Sequence, residues 1–477
     1  MSQIAIVGAG IAGLNAALTL QDAGLACDVY EASDRVGGRM HSDTQTWTDG
    51  MVSEWCGEFI DGDHTTIHTL AARFGLTTVP LDKGRSGWAP SLLYFDGRFY
   101  GPEMFGGDFQ ILAPIILEQA QQVGLPTTYD HHTQEGARLD QMSVFDWVER
   151  YVKGGHTAAI GRFLDRACSG YYGLESTEQS ALNLLTMFAP RSVPENWATP
   201  KPLQGSSKIV GGNARLPLAI ANSLPEGCIH LRHELVAIER QGAAKIALTF
   251  ATDDGRVEMV CERAILTLPF SALRHVDYRQ AGFDELKREA IEQLGYGTIS
   301  KLFMQFDTRY WDDAGPWPHP HSDFFITDLP IQTLWDASRG QNGSTGLLVD
   351  YTSGRQGASY SPSAPYTTTA NPTDDALIQG YAHDCLRQLE QVFPGISAHY
   401  TGKAALSYPT GDPFLRGSYA CWRVGQYTRF AGYERVRQGP IHFAGEHCSV
   451  DYQGFMEGAA REGARAAQEI IGERADN

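Results

Sequence analysis

The residues best suited to chemistry by type and spacing lie near the start of the chain. Gly8, Gly10 and Gly13 stand in the run Gly8-Ala9-Gly10-Ile11-Ala12-Gly13, and Glu31 follows 18 positions after Gly13. That spacing suits a dinucleotide. Gly8 permits a tight turn, Gly10 lets the backbone approach a pyrophosphate, and Gly13 allows a helix to pack close to a strand. Free N–H groups and the macrodipole at the helix start favour the phosphate charge. Glu31 sits where a carboxylate meets the two ribose hydroxyls, and its charge would repel a 2′-phosphate.

The flanking sequence supplies the elements this arrangement needs. Ile4-Ala5-Ile6-Val7 is short, apolar and β-branched, as a buried parallel strand requires. Ile11, Leu14 and Leu18 recur at helical spacing, and a second apolar run, Cys27-Asp28-Val29-Tyr30, leads into Glu31. Strand, glycine turn, helix, strand and acid follow in order, which predicts an α/β fold with a Rossmann-like unit at its start.

Beyond Glu31, Ala32-Ser33-Asp34-Arg35-Val36-Gly37-Gly38-Arg39 adds two glycines flanked by arginines. These predict further backbone donors and two forked cations beside the same pyrophosphate. The stretch resembles the E-A-x-x-R-x-G-G-R continuation of the FAD-binding amine oxidases. The resemblance implies FAD as cofactor, a GR2-type FAD-binding domain, and a discontinuous α+β substrate domain.

The 477 residues, 42% of them hydrophobic, allow two or more domains. With 38 basic against 56 acidic residues the net charge is −18, which disfavours nucleic acid and anionic membrane surfaces as partners. No window of about 18 uncharged apolar residues offers a membrane span. The first strand begins almost at once, with no signal-peptide pattern before it. Eight scattered cysteines without a CxxC pair read as reduced thiols of a cytoplasmic protein, with no metal site.

The expected cofactor domain comprises residues 1–80, 205–300 and 405–477, and the substrate domain residues 81–204 and 301–404. Helices are expected over 65–74, 109–123 and 144–152, with a strand pair turning at Asp96-Gly97. Gly211-Gly212-Asn213-Ala214-Arg215-Leu216 resembles the family's second glycine signature, G-G-x-x-R-L. His233 to Ile238 resembles the strand whose main chain meets adenine, at Val236. Strands at 245–251 and 257–268 are expected to form a meander, 296–306 a single strand, and the Ser-, Thr-, Pro- and Gly-rich 354–374 a loop.

Toward the end, Asp412-Pro413-Phe414-Leu415-Arg416-Gly417-Ser418-Tyr419-Ala420-Cys421-Trp422 resembles the D-P-x-x-R-G-S/T-aromatic-x-x-W run of polyamine oxidases. Gly445-Glu446 and Gly454-Phe455-Met456 resemble the family's flavin-contacting end. The resemblance implies that Gly445 and Glu446 hold the ribityl and phosphate, and that the Met456 N–H meets a flavin carbonyl. It also implies that Lys301 holds a water near flavin N5 and that Tyr419 and Phe455 face each other before the ring. Ser418 replaces the cysteine that bonds FAD in monoamine oxidases, so the cofactor is expected to be noncovalent. Phe455 replaces the usual tyrosine, keeping the ring without its hydroxyl.

The expected reaction is oxidation of an amine to an imine that water hydrolyses, with dioxygen as electron acceptor. Glu58, Phe59, Asp61, Tyr419 and Trp422 are the expected substrate contacts, Asp61 holding a distal ammonium. An L-amino-acid oxidase, with Arg423 gripping the carboxylate, is the runner-up, and an FAD-dependent desaturase a further alternative. The oligomeric state stays open, with a homodimer as one option.

Overall fold

A computed structural model describes residues 3–81, 91–189, 206–242, 245–318 and 324–475. Ile4–Val7 forms a strand with all four side chains buried. It lies at the centre of a parallel sheet, flanked by Asp28–Tyr30 and Arg263–Leu266, with Ile229–His230 and Ile441–Phe443 outermost. A strand covered on both faces needs apolar residues throughout, which this run supplies. Helix Ile11–Asp22 follows directly, and helix Met456–Ala475 packs against it. Small residues permit the contact: a Cβ on Gly463 would lie 2.0 Å from the Ala12 carbonyl oxygen, and Asn15 donates to the Ala460 carbonyl at 2.8 Å.

The strand expected over 257–268 is two strands in two sheets. Gly255–Cys261 belongs to an antiparallel meander with Glu234–Gln241 and Lys245–Thr252, whereas Arg263–Leu266 pairs parallel with Ile4–Val7. The break falls at Glu262, where the N–H groups of Glu262 and Arg263 both donate to the Gln3 carbonyl. Burial follows the switch, from a largely exposed strand to one whose last three residues are buried.

An eight-stranded sheet carries the second half of the site. Its order is Tyr366–Thr368, Tyr400–Ser407, Ser300–Phe306, Gly346–Thr352, Thr333–Asp336, Phe324–Thr327, Leu92–Phe95 and Arg98–Phe99. Ser300–Phe306 is buried at every position. It starts later than the expected 296, because Gly297 N–H donates to the Tyr419 carbonyl and Thr298 N–H to the Gly173 carbonyl. The expected 354–374 loop contains helix Gly354–Gly357 and the edge strand Tyr366–Thr368. Its hydroxyls are anchors as well as solvated groups: Asp374 accepts from Ser363 N–H, Ser363 Oγ and Thr367 Oγ1. Asp96 and Gly97 both take positive φ, 55° and 72°, as a tight hairpin of this hand requires.

Residues 102–188 are mostly helical, with Pro102–Val123, Val144–Tyr151, Ala159–Tyr172 and Ala181–Phe188 among the helices. The first begins seven residues earlier than expected (102 against 109), with Pro102 pre-set at its first turn. Ser143 caps the second by accepting from Asp146 N–H. The domain crossing expected at 204–205 lies outside the described residues. Among the described residues, no helix is long and apolar enough to cross a membrane.

Candidate active site

One cavity of about 660 Å³ runs from the first glycine turn to the face of the eight-stranded sheet. Gly8 holds φ +105°, and a Cβ there would meet Thr267 Oγ1 at 2.5 Å. A Cβ on Gly13 would lie 1.9 Å from the Gly8 carbonyl oxygen. Gly10 differs: its Cβ would point into open space, leaving bare backbone on the cavity wall with Ile11 and Ala12 beside it. That opening is the room a pyrophosphate needs, so the donor set here fits a dinucleotide.

The second glycine pair leans on the first. Gly37 N–H donates to the Ala9 carbonyl at 2.8 Å, and a Cβ on Gly38 would come within 3.3 Å of Gly10 Cα. Glu31 accepts from Ala9 N–H at 2.7 Å, and from Ser33 N–H and Oγ at 2.9 and 2.7 Å. Ala32, Arg35 and Val236 also line this end. Arg35 donates to the Gly38 carbonyl and so braces the turn.

Arg39 and Glu446 both line the cavity and bond to each other. The Arg39 guanidinium donates to Glu446 Oε1 and to the Ser418 carbonyl, each at 2.8 Å. Glu446 also takes the N–H groups of Ala420 and Gly454. The pair therefore neutralises itself and ties three segments together, so its charges are already matched before any ligand enters. Gly445, Gly454 and Met456 line the same stretch, and the side chain of Met456 packs within 3.1 Å of where a Gly57 Cβ would stand.

At the far end, the strand register sets Lys301 opposite Tyr351. The Lys301 ammonium donates to the carbonyls of Glu54 and Cys56, at 3.0 and 2.8 Å, and to Glu58 Oε2 at 2.9 Å. These three acceptors take all three of its hydrogens.

Glu58 is also committed. Lys208 Nζ donates to its Oε1 at 2.5 Å and Trp335 Nε1 at 3.1 Å. Burial raises its pKa, but the ammoniums of Lys208 and Lys301 outweigh that and hold it down to about 2. Glu58 lines the cavity with Oε1 taken by Lys208 and Trp335 and Oε2 by Lys301. Glu54 behaves oppositely. Among the described residues its carboxylate accepts from the neutral donors Asn213 N–H and Ser42 Oγ, and burial pushes it up to about 7.

Asp61 lines the cavity with its carboxylate partly exposed, accepting from Ser206 Oγ at 2.6 Å. Tyr419 and Phe455 line it too. The Tyr419 hydroxyl donates to the Tyr171 carbonyl at 2.5 Å and lies 2.9 Å from the Tyr351 hydroxyl, which is left to act as the donor. Burial raises the Tyr419 phenol well above its ordinary pKa. The Phe455 ring meets His64 and Tyr171 at steep angles, with centroids 5.2 and 6.0 Å away.

Trp422 is a core residue. It is 5% exposed, donates to Glu434 and packs on Tyr427, away from the cavity lining. Arg423 pairs with Glu178 on a part-exposed surface and is likewise absent from the lining. Further wall, which the sequence did not disclose, includes Phe163, Met187, Phe188, Phe324, Ile326 and Trp335. These belong to helices and strands distant in sequence, and their spacing records only that they are buried or partly buried.

A dinucleotide turn sharing one cavity with an aromatic chamber defines a two-part redox enzyme. The sequence profile of the flavin containing amine oxidoreductases matches residues 11–471, and the chain belongs to that family. Putrescine oxidase from Kocuria rosea is 23% identical, the match covering 98% of this chain and 95% of that protein. An L-amino-acid oxidase from Siganus canaliculatus is 24% identical, covering 98% and 85%. The solved structure of cyclohexylamine oxidase from Brevibacterium oxydans IH-35A shares the fold over 99% of both chains, with a TM-score of 0.80 and 19% identity.

Proposed function

We propose that this chain oxidises a small amine lacking an α-carboxylate, with noncovalent FAD as cofactor and dioxygen as electron acceptor. The observation that carries this reading is the continuity of the cavity: Gly10 and Glu31 stand at one end, Tyr419, Phe455 and Lys301 at the other. When bound, FAD supplies the hydride acceptor for the C–H next to nitrogen. The Gly8–Gly13 turn, Glu31, Arg35, Gly37, Gly38 and the main chain at Val236 would hold its nucleotide part, and Gly445, Gly454 and Met456 its ring end.

The protein's own contribution is shape and charge. The Tyr419 and Phe455 rings offer π-faces to a cationic or electron-poor substrate carbon. Tyr351 and the Tyr171 carbonyl hold the Tyr419 ring from its hydroxyl end. A substrate carboxylate would need a cation with hydrogens to spare, but those of Lys301 are spent on Glu54, Cys56 and Glu58. A carboxylate entering beside Lys301 would lose its hydration without gaining that ammonium. Asp61, partly exposed on the wall, is the group able to hold a second ammonium.

The test is kcat/KM for an amine against the α-amino acid with the same side chain, followed by hydrogen peroxide release. The amine is expected to win by roughly tenfold or more, about 1.4 kcal/mol of barrier. An amino acid favoured by that margin would overturn the substrate assignment. Ser418 motivates the noncovalent cofactor, and acid precipitation should leave the yellow colour in the supernatant. Colour that stays with the pellet refutes that part.

A further inference from the structure

The second lysine on Glu58 has no counterpart in the expectations drawn from the sequence. Lys208 stands on the short strand Ser207–Ile209, which pairs with Thr78–Pro80. It does not line the cavity. It lies behind Glu58, with its side chain 10% exposed, against 3% for Glu58 and 6% for Lys301. The three groups form a chain: Lys208 Nζ to Glu58 Oε1 at 2.5 Å, then Glu58 Oε2 to Lys301 Nζ at 2.9 Å. Trp335 completes the coordination of Oε1.

Two features separate this cluster from an ordinary buried ion pair. First, it carries one more positive than negative charge, in a place where water screens little. Second, its place is fixed against the cofactor cavity. Cys56, Gly57, Glu58, Lys301 and Trp335 all line that cavity. Gly57 packs on the Met456 side chain, at the start of the last helix.

We propose that Lys208 is a positioning residue for the redox reaction. Its ammonium fixes the Glu58 carboxylate, and through it the Lys301 ammonium, and it supplies the surplus positive charge that favours the reduced, more electron-rich state of the bound cofactor. This rests on the reading that the cavity holds a flavin. With Lys208 removed, Glu58 and Lys301 would form a neutral pair, free to shift because one carboxylate oxygen has lost its strongest partner. With Glu58 neutralised, Lys301 at the cavity wall and Lys208 behind it would both stand uncompensated. The two changes should therefore move the cofactor's reduction potential in opposite directions.

The experiment measures the midpoint potential of the bound flavin in the full-length, FAD-loaded protein by equilibration with a reference dye. No substrate enters this measurement. Lys208→Met is expected to lower the equilibrium constant for two-electron reduction about tenfold, roughly 30 mV for such a couple. Lys208→Arg is expected to restore it, and Glu58→Gln to shift it upward. If Lys208→Met lowers the melting temperature and leaves the potential unchanged, Lys208 is only a brace and the proposal is overturned. If Lys208→Met does not load flavin, Glu58→Gln decides: an unchanged or lowered potential overturns the proposal. Failure of the amine reading shows separately, as a wild-type flavin that amines do not bleach while chemical reductant still yields a potential.

Discussion

The two ends of the cavity hold their carboxylates by opposite means. At the glycine end, Glu31 is held by neutral donors close at hand, the N–H groups of Ala9 and Ser33 and the Ser33 hydroxyl. At the aromatic end, Glu58 is held by two lysines 150 and 243 residues away along the chain. The first arrangement is built by one continuous stretch of backbone and suits a ligand that brings its own phosphate charge. The second is built by strands that meet only in the folded protein, and it sets a fixed charge at the aromatic end of the cavity. A binding site can be local, whereas this electrostatic setting is a property of the assembled sheets.

The largest expected effect separates folding from binding at the glycine end. Gly13→Val would drive side-chain atoms into the Gly8 carbonyl, already 1.9 Å from a Cβ, and should cost about 1–3 kcal/mol or more and abolish flavin loading. Gly10→Ala meets open space at φ −71° and should fold normally. Its methyl occupies the room left for phosphate, so cofactor affinity should fall roughly tenfold or more, about 1.4 kcal/mol. Thermal melts of the apoprotein and flavin titrations check both. A Gly10→Ala protein with wild-type affinity would break the assignment of that opening.

At the other end, Glu54 gives a pH test. Its carboxyl is raised from 4.5 to about 7, so the folded state favours the protonated form. The stability this confers is complete below about pH 4.5 and is lost as pH rises through 7. The loss should approach about 3 kcal/mol by pH 8. Glu54→Gln, a neutral mimic, should match the wild type near pH 5 and exceed its melting temperature near pH 8. Equal melting temperatures at both pH values would show that burial does not control this carboxyl.

A smaller effect is expected at Lys301. Lys301→Met leaves Glu58 with Lys208 and Trp335, and frees the carbonyls of Glu54 and Cys56. Flavin should still bind. One of the two half-reactions should slow by roughly tenfold or more, about 1.4 kcal/mol, in stopped-flow reduction and reoxidation. Wild-type rates in both would remove Lys301 from the reaction.

Several features were legible without coordinates because they are local. The turn from Gly8 to Gly13 with Glu31, the hairpin at Asp96-Gly97 and the helix over Thr65–Arg73 each depend on backbone freedom or periodicity within about 25 residues. Errors fell where a long-range hydrogen bond redirected the chain. The Gln3 carbonyl split the 257–268 strand between two sheets, and Tyr419 and Gly173 delayed the strand before Lys301. Trp422 illustrates the limit of a motif, since Tyr427 and Glu434 draw it into the core.

The sequence by itself determined that this chain has a glycine-rich turn between a strand and a helix, an acid 18 positions beyond it, and a lysine within an apolar strand. Only the tertiary structure decided how that lysine is used. Lys208, Glu58 and Lys301 carry no shared periodicity, and each alone reads as an ordinary charged residue. They meet because Ser207–Ile209 pairs with Thr78–Pro80 while Ser300–Phe306 runs through the middle of another sheet. Charges that far apart along a chain become one group only when folding has removed the water between them.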